Sequence, residues 1–358
     1  MNRFHSLTVR DVRRETADAV SIAFDVPEDV RERFSFEPGQ YLTLRAEMNG
    51  EEIRRSYSIC SALGDGEVRV AVKQVDGGVF STFANQNLQA GSSLEVMEPE
   101  GRFKTAVQGE VSRTVLALAA GSGITPILSI VKSILEGESD SQVTLIYGNR
   151  DTASILFREA LEDLKDRFLS RFQLYNVLSR ESQDIELLHG RVGPDTLKTF
   201  VDRKLIDLSS IDNVFICGPG SMSEELMATL QEIGVAEEKL HREVFTPDGS
   251  PPPVASARAQ KAAEEGVRIA VQIDGSMRSF TMGAEDASVI EASERAGIDL
   301  PYSCKGGMCC TCRCKVLEGE AEMAVNYSLQ PWELEAGFIL SCQARPLTET
   351  LTLDFDAV

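Results

Sequence analysis

The chain has 358 residues, 36 Lys and Arg against 56 Asp and Glu, three His and eight Cys, with 42% hydrophobic and 26% charged residues. That length suggests two or three domains, each able to bury its own core, and the composition excludes wholesale disorder. A formal charge of −20 argues against nucleic acid or an anionic membrane as partner, because like charges repel; it serves solubility or marks an acidic docking face.

Residues 1–104 read as short alternating segments, among them SLTVRDV, AVSIAFDV, QYLTLRAE and EVRVAVKQV, separated by Gly, Pro and Asp. Such strands, without helical periods, predict an antiparallel barrel or sandwich. Between 105 and 248 the apolar strand runs TVLALAA, QVTLIYG, RFQLYNVL and NVFICG alternate with the amphipathic stretches PILSIVKSILEG, SILFREALEDLKDRF, PDTLKTFV and SMSEELMATLQEIG. Strand–helix alternation predicts a doubly wound parallel sheet. A Pro-, Ala- and Ser-rich stretch with no apolar period follows, and residues 249–266 read as a linker. Residues 267–358 then give a hairpin around a DG turn, a helix (SVIEASERAG), a cysteine-rich loop and more strands, an α+β unit.

No apolar run approaches the roughly 18–20 residues that span a bilayer, and MNRFHSLTVRDVRRE lacks the apolar stretch of a secretory signal. The expectation is a cytoplasmic protein. Five of the eight cysteines fall between Cys304 and Cys314, a clustering that suits a metal in a reducing compartment better than a disulfide scaffold.

Cys304, Cys309 and Cys312 have the C-x₄-C-x₂-C spacing of plant-type [2Fe–2S] ligation, with Cys342 as the distant fourth thiolate. Gly306 and Gly307 let the backbone wrap closely and aim N–H groups at sulfur. Structural zinc is the competing reading, but it prefers two short pairs of ligands, and three on one loop do not divide that way. No His occurs from 267 to 358, which removes a Rieske centre. Cys310 and Cys314 are read as packing residues.

After TVLALAA comes Gly121-Ser-Gly123-Ile-Thr125-Pro126 and then a helix. Glycines at a strand-to-helix turn allow close approach of a pyrophosphate, which a helix N-terminus favours. The G-x-G-x-x-G pattern is incomplete, with Pro126 in the third position. A plain turn is the alternative, and the place of the loop in the first βα unit favours the nucleotide.

Arg55-Ser-Tyr57-Ser58, Gly77-Gly78 with Ser81, GSGITP and Cys217-Gly218-Pro219 resemble the ferredoxin–NADP reductase superfamily. With a ferredoxin-like C-terminus, the whole chain resembles the oxygenase reductases. FHSLTV, PGQYLTL, TLIYGNR, LPYSCKGGMC and NYSLQPWEL are similar in order and spacing to the reductase subunits of phenylacetyl-CoA epoxidases.

The resemblance implies an antiparallel flavin-binding β-barrel (1–104), a doubly wound nucleotide domain (105–248) and a β-grasp ferredoxin domain (267–358). It implies FAD, with Arg55 on its phosphates, Tyr57 packed on the isoalloxazine, Ser58 near N5, and Gly77, Gly78 and Ser81 donating to the pyrophosphate. An exposed strand pair is the alternative for Arg55 and Tyr57. NADPH would lie on Gly121, Gly123 and Thr125, with Cys217 and Gly218 by the reactive carbon; Cys217 as a small core residue is the other reading.

Ser179-Arg180-Glu181 resembles the segment that grips the 2′-phosphate in NADPH-using relatives, and Arg150 and Arg191 are further candidates. Glu243 and Phe245 resemble a segment that reaches back to the flavin, or belong to an ordinary last strand. Ser58 and Cys217 are the expected catalytic pair. The implied route runs from NADPH through FAD and the [2Fe–2S] cluster to a multisubunit di-iron oxygenase in phenylacetate catabolism. The flavin reconciles two-electron hydride chemistry with a one-electron cluster. A reductase for another oxygenase, with NADH or FMN, and a non-catalytic electron-transfer subunit are the rival readings. Seven Lys and Arg against fourteen Asp and Glu in 267–358 suggest an acidic face for a basic partner.

Overall fold

A computed structural model describes residues 4–48, 50–245 and 254–357. These form two compact units, one within residues 4–53 and 57–245 and the other comprising 254–357 with Arg54–Ser56.

The first unit opens with β1 (Phe4–Thr16), β2 (Ala19–Asp25), β3 (Tyr41–Met48), β4 (Glu51–Ser58), β5 (Val68–Lys73), helix α1 (Val79–Gln86) and β6 (Ser93–Met97). The six strands make one sheet in the order β4-β3-β6-β1-β2-β5, and the recorded pairings are antiparallel. Its core gathers Leu7, Val9, Ile22, Phe24, Leu42, Leu44, Val70 and Val96 from alternating strand positions. Burying each such side chain contributes about 1.5–3 kcal/mol.

Helix α1 departs from the all-strand expectation. Its buried residues Phe80, Ser81, Ala84 and Asn85 do follow a helical spacing. At eight residues that period is too short to stand out from the surrounding strands.

The same unit continues with β7 (Thr114–Ala120), α2 (Ile124–Gly137), β8 (Gln142–Asn149), α3 (Arg158–Arg167), β9 (Phe172–Leu178), α4 (Pro194–Asp202), β10 (Asn213–Gly218), α5 (Gly220–Ile233) and β11 (Leu240–Val244). All five strands are parallel, in the order β11-β10-β7-β8-β9. β7 reads as a continuous apolar run because helices cover both of its faces. The stretch SILFREALEDLKDRF becomes helical only from Arg158. Phe157 sits at φ +57 and stops the helix from starting earlier, while Ile155 and Leu156 are buried.

The second unit contains α6 (Ala257–Glu265), β12 (Val267–Ile273), β13 (Ser276–Met282), α7 (Val289–Arg295), β14 (Arg313–Glu318), β15 (Ala321–Met323), α8 (Pro331–Glu335), β16 (Phe338–Leu340), β17 (Ala344–Pro346) and β18 (Thr350–Asp354). The main sheet runs β13-β12-β18-β14-β16, with α7 against β13 and a small β15–β17 ribbon beside it.

Helix α6 corrects the linker expectation for its second half. Ser256 caps it by accepting from the Ala259 N–H at 3.2 Å, its own N–H donates to Glu322, and Arg258 pairs with Glu320 at 2.7 Å. The helix is held to the unit by these polar ties and by Ala259 and Ala262, side chains too small to register as an apolar period. Residues 249–253 of the expected linker lie outside the described residues.

Candidate redox sites and family

On β4, alternation places Arg55 and Tyr57 on one face and Ser56 and Ser58 on the other. Arg55 donates to the Arg54 carbonyl at 2.8 Å. Tyr57 is half-buried, its ring 5.6 Å from that of Phe80 on α1. The loop before α1 turns at Gly77, where φ is +73, and continues through Gly78. The Ser81 hydroxyl accepts from the Val75 N–H at 3.1 Å and donates to the Gly78 carbonyl at 3.2 Å. A Cβ on Gly78 would lie 2.4 Å from that hydroxyl. Ser81 therefore builds the loop, its hydroxyl hydrogen engaged within it, and the donors left to a phosphate are backbone N–H groups at the start of α1. A guanidinium, an aromatic face and a helix N-terminus form a donor set that fits a flavin dinucleotide.

Ser58 is buried, and its hydroxyl donates to Glu243 on β11 at 3.3 Å. Glu243 is the register partner of Cys217 on β10. Cys217 is fully buried, and burial together with the Glu243 carboxylate pushes its thiol well above the ordinary range. It is thus held as a neutral thiol. Phe245 is half-buried, packs against the core cluster that contains Cys217, and donates its N–H to the Gly218 carbonyl at 3.2 Å. The barrel and the parallel sheet thereby bring Ser58, Glu243 and Cys217 together within one unit.

The carboxyl ends of β7, β8, β9 and β10 open onto a cleft of about 650 Å³, the position where doubly wound sheets bind ligands. Gly121 lines it at φ +54, its carbonyl accepting from the Tyr147 hydroxyl at 2.9 Å. Tyr147 is fully buried, and burial raises its phenol above the ordinary range, so it remains a donor. Gly123 does not line the cleft. A Cβ there would lie 2.2 Å from the Cys217 carbonyl oxygen, so glycine is what lets the loop pack on β10. Thr125 is buried and donates to the Ser122 carbonyl at 3.0 Å, shaping the turn.

Ser179 lines the cleft together with Arg150 and Arg191, whereas Arg180 is exposed and does not. Cys217 and Gly218 also stand behind the wall, and Pro219 and Ser221 form it. The motif reading missed Lys73 and Thr196, which come from separate elements and carry no local signature, and gave no role to Asn149 within TLIYGNR. A cleft with three cationic side chains and the N-termini of two helices fits a phosphorylated nucleotide.

In the second unit the four predicted thiols form two contacting pairs, Cys304 with Cys309 and Cys312 with Cys342. The Cys309 thiol and the N–H groups of Gly306 and Met308 hold Cys304 below the ordinary thiol range. The Cys312 thiol, the Gln343 amide and the Gly307 N–H do the same for Cys342. Gly307 needs its φ of +76, and a Cβ there would press on Val325 and Gln343. Two pairs of sulfurs ringed by N–H donors fit two bridged irons. Cys314 is fully buried in the core, and Cys310 is half-buried at its edge.

Family models match all three parts of the chain. An oxidoreductase FAD-binding domain matches residues 6–105, an oxidoreductase NAD-binding domain residues 117–227 and a 2Fe-2S iron-sulfur cluster binding domain residues 271–347. The chain belongs to the oxygenase reductases that combine these three domains, and it is an oxidoreductase that uses FAD, a [2Fe–2S] cluster and a pyridine nucleotide.

It is 46% identical to one of the subunits of the 1,2-phenylacetyl-CoA epoxidase of Escherichia coli (strain K12), covering 100% of this chain and 99% of that protein. It is 34% identical to the ferredoxin reductase component of 3-ketosteroid-9-alpha-monooxygenase from Rhodococcus rhodochrous, over 98% and 96% of the two chains. Phthalate dioxygenase reductase shares the fold, with a TM-score of 0.61, 22% identity and 98% coverage of each chain. Among the described residues no helix is long and apolar enough to cross a membrane.

Proposed function

We propose that this chain takes electrons from NADPH and delivers them singly to a multisubunit di-iron oxygenase, the phenylacetyl-CoA epoxidase of aerobic phenylacetate degradation. The observation that carries the reading is full-length identity of 46% to a component of such an epoxidase, over all three cofactor-binding regions. When bound, FAD would supply the chemistry that links two-electron hydride transfer from the nucleotide to one-electron reduction of a [2Fe–2S] cluster.

The chain's own residues do the placing. Arg55 and the start of α1 hold the flavin phosphates, with Gly77 turning the backbone and Ser81 fixing the loop, and Tyr57 covers the ring. Ser58, its hydroxyl hydrogen held by Glu243, offers an acceptor oxygen at the flavin's reactive edge, and neutral Cys217 closes the wall behind the nicotinamide without adding a charge. Gly121 gives the nucleotide backbone access. Cys304, Cys309, Cys312 and Cys342 hold the cluster.

The preference for NADPH rests on Ser179 with Arg150 and Arg191 at the cleft, because a hydroxyl and guanidinium groups suit a 2′-phosphate. Arg180, exposed beside them, is a further contact for that phosphate. Eight free cysteines, four of them thiolate ligands, suit the reducing cytoplasm. The test is steady-state reduction of the epoxidase oxygenase component with each nucleotide. The reading expects turnover and a higher kcat/KM with NADPH than with NADH; preference for NADH overturns the nucleotide assignment, and no turnover overturns the partner.

A further inference from the structure

Helix α8 reverses the usual arrangement of a surface helix. Its one buried residue is a carboxylate, Glu333, while Trp332 and Leu334 are 59% and 44% exposed. Glu333 faces Arg313 on β14 at 2.7 Å and also accepts from the Gln330 N–H at 3.0 Å. The Arg313 guanidinium lies 3.5 Å over the ring of Phe338 on β16. The helix is therefore bolted to the sheet by an ion pair and a stacked cation, while Trp332 and Leu334 keep much of their surface in solvent.

The Val316 N–H donates to the Gly337 carbonyl just past α8 at 2.9 Å, which sets the next residue, Leu317, beside the end of the helix, and Leu317 is 53% exposed. Exposed apolar residues are ordinary singly; three at one corner, including the only Trp of the chain, are not.

The charge around the corner is acidic. Glu318 and Glu335 are exposed in the same two elements, and Asp354 is the register partner of Lys315 on β18, with Asp356 two residues on. Arg313 is neutralised by Glu333, which leaves Lys315 as the cation there. Arg313 directly follows the cluster ligand Cys312 in the chain, so a partner seated on this corner rests on the strand that leads out of the cluster loop.

We propose that Trp332, Leu334 and Leu317 form the docking surface for the electron-accepting oxygenase, whose matching face is an apolar socket rimmed by Lys and Arg. The occupant follows from charge complementarity with the acidic rim and rests on the oxygenase reading above. Indole anchors of this kind dominate interface energetics, and the surrounding acids steer encounter.

The test uses the full-length holoprotein with Trp332→Ala, Leu334→Ala and Glu335→Gln, all at exposed positions. Two rates are followed: bleaching of the bound flavin and cluster by NADPH, and reduction of the epoxidase oxygenase component. Trp332→Ala is expected to lower kcat/KM for the oxygenase about tenfold or more, with bleaching unchanged. Glu335→Gln is expected to reduce the salt sensitivity of that step. Unchanged oxygenase reduction overturns the proposal, as does an equal slowing of bleaching, which would assign the corner to transfer inside the chain.

Cytochrome c, a lysine-rich electron acceptor, separates this outcome from a wrong choice of oxygenase. If the wild-type chain does not reduce the epoxidase, the functional reading fails. Loss of cytochrome c reduction in Trp332→Ala then still supports the docking surface, and wild-type rates refute it.

Discussion

Gly123→Ala tests how closely the nucleotide loop must approach β10. Gly123 has an ordinary helical φ of −60, so alanine brings no backbone strain of its own. Its cost is steric. The new Cβ would lie 2.2 Å from the Cys217 carbonyl oxygen and 2.8 Å from the Gly218 nitrogen, where ordinary contact begins at 3.4 Å. Both atoms are backbone, so no side chain can swing aside. The turn and the strand must part by about 1 Å, an overpacking strain of about 1–3 kcal/mol.

The same shift displaces Gly121 and breaks the 2.9 Å bond from Tyr147. Misplacement by about 1 Å at a reacting centre costs about a hundredfold in rate. The assay pairs thermal unfolding with NADPH-dependent ferricyanide reduction. Gly234→Ala is the control: this C-cap of α5 has φ +99 and nothing near its Cβ, so it loses about 1 kcal/mol with no effect on KM. Gly123→Ala with wild-type kcat and KM, whatever its melting temperature, would refute the reasoning.

Other consequences are simpler. Arg113→Ala leaves the buried Glu138 carboxylate its Ser141 hydroxyl but removes the countercharge held at 2.7 Å, and should cost about 3–5 kcal/mol; a denaturation midpoint within error of wild type would contradict this. Asp286 is held below the usual carboxylate range by its hydrogen bond to Arg295. Its contribution is therefore fully present above the unfolded value near pH 4 and lost as pH falls through the lower folded value. Asp286→Asn should be less stable than wild type at pH 7 and converge with it in acid, and a constant gap across that range would count against the assignment. Ser58→Ala should slow flavin reduction by NADPH roughly tenfold with little change in nucleotide affinity, and Glu243→Gln less, since Glu243 acts through Ser58. Stopped-flow bleaching with saturation by NADPH separates the two effects.

Much of this was readable from residues alone, for physical reasons that differ by site. The proposed cluster ligands are three on one loop plus one, a constraint of metal geometry that survives as spacing, and the structure pairs those four thiols. The parallel sheet announced itself because strands covered on both faces are apolar throughout. The nucleotide cleft was harder to anticipate. Ser179 belongs to a recognisable segment, but Lys73, Asn149 and Thr196 converge only when the ends of β5 and β8 meet the first turn of α4. Ser81, Gly123 and Thr125 sit in motifs yet serve the loops themselves, since a motif records that a residue is needed and not which way its side chain turns. Helix α6 hid in a linker-like composition because alanine against a sheet leaves almost no hydrophobic signature.

The account stands or falls on three cofactors working in series on one polypeptide. Anaerobic titration of freshly purified protein with NADPH, alongside iron, sulfide and flavin analysis, tests that directly. The prediction is one FAD with two irons and two sulfides of a single cluster, and loss of both flavin and cluster absorbance as nucleotide is added. Protein without acid-labile sulfide, or with a visible spectrum that NADPH leaves unchanged, would contradict it.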